Sequence, residues 1–413
     1  MSRPNSVGVG DQIPPGGSTM VDYAAPEMTQ TDVGRWLEQR QSALHVTTTT
    51  ITPAGQTLDW VPVESQASEP IAEPPPAVTH DVQADQARPT TSVRFDAGEA
   101  GPAGHVPVLR PALSRIGSLD QLRRVQSKPG GLRVNVNRAN KKITDPNPAG
   151  YFHSLSSQSA TVYGADAWLN LWDPAVDIPS SPGDDHSISQ LWLQNYQKPQ
   201  LQSLEGGLTV DHNLNGDSAN HLFTYYTTNG YSQDGNNLGG YNRLESGWIQ
   251  YHPSIYPGIK INGTSVQGQS PQLEIGIKYQ LWQGNWWFGF NNNESGPWIW
   301  LGYYPGSLFN GGIANQVDWV GWGGEVYSAL ANPCATADQM GSGRHAADGW
   351  TYACYQRLMH NQTDLNGSLA NFAGVASVDV AASNCPANEY TIATFMNSGS
   401  SWGSYQYFGG PAA

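Results

Sequence analysis

Charge is scarce in this sequence: Asp, Glu, Lys and Arg make up 13% of its 413 residues. Cysteine is scarcer still. Cys334, Cys354 and Cys385 all lie in the C-terminal third, so one disulfide is possible with one thiol left over, and a disulfide framework is excluded. No apolar run approaches the ~20 residues of a membrane-spanning helix. Met1-Ser2-Arg3-Pro4-Asn5 does not open an apolar signal-peptide core. The common catalytic signatures are missing too: there is no G-x-S-x-G elbow, H-E-x-x-H, P-loop, C-x-x-C, or G-x-G-x-x-G after a strand. The nearest approach to an aspartic-protease triplet, Asp217-Ser218-Ala219, reads as a turn.

What is abundant is glycine (46), proline (29) and tryptophan (15). Aromatic and β-branched residues suit a half-buried pleated surface, so a chain poor in charge and rich in Gly, Trp and Tyr reads as all-β. The net charge of −14 is unevenly spread. Residues 1–150 hold 14 of the 20 basic residues and are close to neutral, whereas residues 151–413 have a net charge of −13. Such an acidic body lacks the basic footprint of a nucleic-acid partner. It is compatible with simple solubility, and equally with work at acid pH, where protonation relieves self-repulsion.

Residues 1–30 are Gly, Pro and polar residues without periodicity and read as disordered. A helical pattern covers 31–45. Val46–Ile51 and Thr57–Val63, joined by Pro53-Ala54-Gly55-Gln56, form a hairpin pattern. The Pro- and Ala-rich stretch 68–110 reads as a linker or draped arm. Leu119, Leu122 and Val125 mark a short amphipathic helix, and Lys128 to Gly150 has the composition of an exposed boundary. From Ala160 onward, strand signals alternate with turns. They cover Thr161–Trp172, Ser187–Asn195, Leu201–Val210, Leu222–Thr228, Gly247–His252, Leu273–Leu281, Trp286–Phe290, Pro297–Tyr304, Val317–Ser328, Trp350–Met359, Tyr390–Met396 and Ser404–Phe408. In Leu273–Leu281 the strict alternation predicts one buried face. A dozen short strands with turns between them predict an antiparallel two-sheet β-sandwich.

Two carboxylates stand out by their neighbours. Glu205, in Leu204-Glu205-Gly206-Gly207-Leu208, and Glu325, in Trp322-Gly323-Gly324-Glu325-Val326, are glycine-flanked acids inside strand signals. Glycine weakens a strand interior, and close approach of a ligand backbone is one reason to keep it; solvent-facing carboxylates on bulged edges are the alternative. Asp184-Asp185-His186 and Asp211-His212 contain metal-ligand types, but acids in such turns are usually solvated, so no metal or other cofactor is expected.

The blocks around these glutamates occur in a recognisable order. Leu204–Val210 is followed by Leu222-Phe223-Thr224-Tyr225-Tyr226-Thr227-Thr228, Ser246-Gly247-Trp248-Ile249-Gln250 and Gly284-Asn285-Trp286-Trp287. Leu301-Gly302-Tyr303-Tyr304-Pro305, Trp322–Val326 and Gln339-Met340-Gly341-Ser342-Gly343 complete it. This order resembles the neprosin domain, and Thr52–Trp60 resembles the activation segment that precedes it in bacterial and fungal members. The resemblance implies a β-sandwich endopeptidase using a glutamate pair, here Glu205 and Glu325. It also implies cleavage after proline, action at acid pH, and maturation of a secreted, monomeric zymogen whose substrates are proteins or peptides. No membrane partner is implied.

On that reading residues 1–30 are a disordered leader and 31–130 a small mixed α+β prodomain acting as intramolecular inhibitor. Residues 131–150 are an exposed linker with the maturation site, favoured at Asp145–Gly150, and 151–413 are the catalytic domain. Plant members carry a cysteine pair where this chain has Gly239–Glu245, so proline preference is the property most exposed to that departure. Trp322 and Tyr226 are candidate substrate-stacking residues, with core packing as their alternative. A Cys354–Cys385 bridge with Cys334 free is expected. Two glutamates in an aromatic-lined sandwich also fit a retaining glycoside hydrolase, and a non-catalytic sugar-binding module would leave the long N-terminal segment unexplained.

Overall fold

The computed structural model describes residues 30–77, 90–112, 114–128, 131–132, 150–178, 185–196, 201–231, 238–294, 296–374, 376–380 and 389–411. Two large β-sheets are packed face to face. The first runs in the order Gly239–Tyr241, His221–Thr227, Gln202–Asp211, His186–Asn195, Trp319–Tyr327, Tyr151–Gln158, Ala376–Val380. The second runs Ile249–Gln250, Ile299–Pro305, Asn285–Asn291, Gln272–Trp282, Gly164–Asn170, Cys354–Gln362, Tyr405–Gly409, Thr391–Phe395. All of these pairings are antiparallel; Thr90–Ser92 adds a parallel strand beside Gln272–Trp282. The all-β sandwich expected from the turn spacing is therefore the fold.

Period two explains the packing. Leu204 and Leu208 in one sheet meet Ile275, Ile277, Tyr279 and Phe288 of the other in a single apolar core. The alternate residues of the same strands, Ser203 and Glu205, belong to the opposite face. Gly206 presents its bare Cα to the core: a Cβ there would lie 2.7 Å from the Phe288 ring. Gly324 is similarly hemmed in by Met340. These two glycines thus let core side chains approach the backbone, rather than admitting a ligand as the sequence suggested.

Every strand expected from Ala160 onward has a counterpart within a few residues. Among the strands that the sequence reading did not expect are Tyr151–Gln158, directly after the Lys128–Gly150 boundary, and the short Gly239–Tyr241, Ile261–Asn262, Leu369–Asn371 and Ala376–Val380. The single buried face expected for Leu273–Leu281 is a correction: Glu274 and Lys278 are buried as well. Both have partners. Arg357 donates to Glu274 Oε2 from Nε at 2.9 Å and to Glu294 Oε2 from Nη2 at 2.8 Å, beneath the Trp168 ring, and Lys278 faces Asp166 at 3.8 Å.

The N-terminal residues do not drape loosely. Thr48–Ile51, Thr57–Pro62 and His105–Leu109 form a three-stranded sheet, so part of 68–110 is strand rather than linker. Trp60 and Leu58 of that sheet join the main core, and Gln56 donates to the Gly258 carbonyl at 2.8 Å. The helices Gln30–Ser42 and Leu119–Gln126 bring Val33, Leu122 and Val125 against Phe223, Tyr225 and Tyr241. Ser118 caps the second helix by accepting from the Gln121 amide. The cysteine expectation is overturned: Cys334 is disulfide-bonded and Cys354 is a buried free thiol, while Cys385 lies outside the described residues. Spacing in sequence cannot assign a bridge, because pairing depends on which segments the fold brings together.

Replacing Arg357 by Ala leaves the Glu274 carboxylate buried without its cation. A loss of about 3–5 kcal/mol is expected, read as a lower urea midpoint; an unchanged midpoint contradicts the pairing.

Candidate active site

Glu205 and Glu325 lie on the face of the seven-stranded sheet that points away from the core, with strand His186–Asn195 between them. Both are fully buried. What buries them is the chain following the Leu119–Gln126 helix. Lys128 Nζ donates to Glu205 Oε2 at 2.7 Å, to Glu325 Oε2 at 3.1 Å and to Gln190 Oε1 at 3.2 Å. Its ammonium also stands 5.6–5.8 Å from the ring centres of Phe223, Tyr225 and Tyr241, within cation–π range. Lys128, read from composition as part of an exposed boundary, is fully buried, because two carboxylates and three aromatic faces replace its water.

Each carboxylate has its own set of donors. Tyr231 OH donates to Glu205 Oε1 at 2.5 Å and Ser203 Oγ to the same oxygen at 3.0 Å. Glu325 is bonded by His186 Nε2 at its Oε1 (3.0 Å), and by His153 Nε2 (3.2 Å) and Gln190 Nε2 (3.0 Å) at its Oε2. Tyr231 reaches its position from a backbone at φ +60°, an uncommon conformation for a non-glycine residue and of the kind that collects at functional sites. Behind the sheet, Tyr279 OH donates to the Glu205 carbonyl at 2.9 Å and fixes the strand there.

The electrostatics follow from these contacts. Burial alone would raise the Glu325 pKa, but the Lys128 charge and the two histidine hydrogen bonds outweigh it and hold the carboxyl well below its usual range. Burial opposes the charged form of Lys128 too, and the two carboxylates overcome that and raise its pKa. For His186, burial is again the largest influence and lowers the value, yet its bond to Glu325 carries it above normal. The Tyr231 phenol is pushed far up by burial and by the Glu205 charge, so it remains a donor throughout the working range. Two acids that converge on one cation, each supplied with its own donors, are equipped for general acid–base work once the cation leaves.

The other candidates fall elsewhere. Trp322 and Tyr226 occupy the opposite faces of their strands, inside the inter-sheet core, with Tyr226 OH donating to the Ser246 carbonyl. Neither touches the carboxylates. Asp185 accepts from the Ala329 amide, and Asp211 caps the short helix that contains His212. His186 serves Glu325. Sequence reasoning passed over Lys128, His153, Gln190, Ser203 and Tyr231. Strand parity alone could have found Ser203, which shares Glu205's face.

A family model described as Neprosin matches residues 183–411, more than half of the chain. A solved structure of SCP-B, a member of the eqolisin family of peptidases, in complex with the tripeptide Ala-Ile-His is similar at a TM-score of 0.32 and 9% identity. The match covers 63% of this chain and 97% of that one.

The charge state of this cluster can be tested through stability. Glu325 has a depressed pKa in the folded protein, so its contribution is present above about 4.5 and is lost as pH falls through the lower folded value. In Lys128→Met two buried carboxylates face each other without a cation. The variant should lose about 3–5 kcal/mol at pH 7, and the deficit should shrink at pH 4 as one carboxyl takes a proton. Urea midpoints of both proteins at the two pH values check this, and a deficit independent of pH contradicts it.

Proposed function

The chain belongs to the neprosin family, and from that membership we propose that it is the latent form of a glutamic endopeptidase, with Glu205 and Glu325 as its catalytic pair. The observation that carries the reading is the Lys128 ammonium lodged between the two carboxylates. The residues preceding the catalytic domain act as an inhibitory prosegment, and Lys128 is its plug. Cleavage after proline, secretion, action at acid pH on proteins or peptides, and a monomeric state belong to the same proposal and rest on the family resemblance. The favoured maturation stretch, Asp145–Gly150, lies outside the described residues apart from Gly150.

With Lys128 withdrawn, two close carboxyls no longer ionise independently, and the pair holds one proton. The asymmetry of donors favours one division of roles. Glu325, bonded by His153, His186 and Gln190, keeps its charge and acts as base, taking a proton from water as the hydroxide attacks the scissile carbonyl carbon. Glu205 carries the shared proton and delivers it to the leaving nitrogen, and the C–N bond breaks to give an acid and an amine. Tyr231 OH and Gln190 Nε2 are the neutral donors available to the carbonyl oxygen as negative charge develops there. The two Lys128 bonds, 2.7 and 3.1 Å, bound the separation of the carboxyls, and family membership favours the peptidase over a retaining glycosidase.

Acidification acts on the plug late. Because the folded Glu325 pKa is depressed, its attraction for Lys128 persists below pH 4.5 and is lost only in more strongly acid solution. Intact wild type should therefore be silent toward a peptide substrate at pH 5, and Lys128→Ala, whose segment is held by fewer contacts, should begin to hydrolyse it at a higher pH than wild type. Glu205→Gln and Glu325→Gln should each leave less than about a tenth of the matured activity with circular dichroism unchanged, and the double variant should be little worse. A single variant that keeps its activity refutes the pair. Intact wild type as active as Lys128→Ala refutes the plug.

A further inference from the structure

Beyond the carboxylates, the chain that plugs the site continues into a second, apolar pocket. Gly131 N donates to the Lys128 carbonyl at 2.7 Å, closing a turn, and Gly131 lies against the Tyr231 ring so closely that a Cβ would stand 2.4 Å from it. Leu132 follows and is fully buried among Leu155, Trp192 and Trp319, with Tyr196 at the margin. The sheet makes room for this. Trp319 lies over Gly321, where a Cβ would come within 2.4 Å of the indole, and Gly323 pairs with Leu155. Trp319, Gly321, Gly323 and Glu325 occupy alternate positions of one strand, so the pocket and the catalytic face are the same surface.

The backbone is read as well. Gln194 Nε2 donates to the Leu132 carbonyl at 2.8 Å and to Tyr231 OH at 3.0 Å, the phenol that also bonds Glu205. Side-chain burial in an indole-walled pocket and a carboxamide on the neighbouring peptide carbonyl are together what recognition of an extended peptide requires. Among the described residues the walls are largely apolar side chains, and the polar contact to Leu132 is to its main chain.

We propose that the Leu155–Trp192–Trp319 pocket is a substrate subsite that selects a large unbranched or γ-branched apolar residue, such as Leu, Met or Phe, beside the scissile bond, with Gln194 holding that residue's carbonyl. Leu132 occupies it in the latent chain as a substrate residue would. The proposal rests on the peptidase reading above and adds to it a specificity-determining residue, Trp319. It is independent of whether proline is preferred at the bond itself.

The test takes the full-length protein, matured in acid, and a set of peptides identical except for one position, varied in turn along the sequence flanking the cleaved bond. Wild type should show one position at which Leu is favoured over Gly by about tenfold or more, the scale set by burying a large apolar side chain. Trp319→Ala, which removes one wall, should flatten that ratio while cleavage of the Gly peptide stays within a few-fold. If Trp319→Ala does not fold, Leu155→Phe, which narrows the pocket, should shift the preference toward smaller residues. A uniform loss over all peptides, a ratio unchanged in the variants, or no apolar preference in wild type overturns the subsite while leaving the peptidase reading in place. Folded, matured wild type that cleaves no peptide overturns both.

Discussion

A buried ammonium between two buried carboxylates is the constraint around which this molecule is arranged. Three charges removed from water are tolerable only if each is compensated, and here every one is: Lys128 by Glu205, Glu325 and three aromatic faces, Glu205 by Tyr231 and Ser203, Glu325 by two histidines and Gln190. Breaking any one member leaves an uncompensated charge in a dry site, so the segment carrying Lys128 is held far more firmly than its composition suggests. The helix before it docks by Leu122 and Val125, and Leu132 after it is buried in turn, so the ammonium is pinned from both sides along the chain.

The same arrangement explains how one cleft could be silent and then active without rebuilding its walls. The sandwich core fixes the strand that carries Glu205 from behind, through Gly206 beneath Phe288 and the Tyr279 bond to the Glu205 backbone. The donors to each carboxylate come mostly from the same sheet, not from the N-terminal segment. Taking Lys128 away removes the cation that both carboxylates face and leaves their other partners in place. The two carboxyls then compete for a proton, which is the state acid–base hydrolysis needs.

Much of this was legible in the residues. The turn spacing predicted the sandwich, and glycine-flanked acids within strand signals, in the order of a known set of blocks, marked Glu205 and Glu325. The failures have physical causes. Trp322 stands three residues from Glu325, and an odd separation in a strand places side chains on opposite faces; Trp319, six away, shares Glu325's face. Tyr226 misses for the same reason, since its neighbour Tyr225 is the residue paired with Glu205. Lys128 was invisible because its burial depends on partners 77 and 197 positions away, and a lysine among glycines and prolines otherwise belongs in solvent. The disulfide was misassigned because sequence order does not say which loops meet.

The central claim is that Lys128 is sequestered while the protein is latent and released when it becomes active. Amine acetylation measures this directly in samples taken before and at intervals during acid maturation, each returned to neutral pH for labelling and read site by site by mass spectrometry beside its peptide hydrolysis. Lys128 should remain unmodified long after the part-exposed Lys260 has reacted, and should become reactive in step with the onset of hydrolysis. Labelling of Lys128 as fast as Lys260 in the latent protein, or hydrolysis from chains in which Lys128 is still protected, would contradict the account.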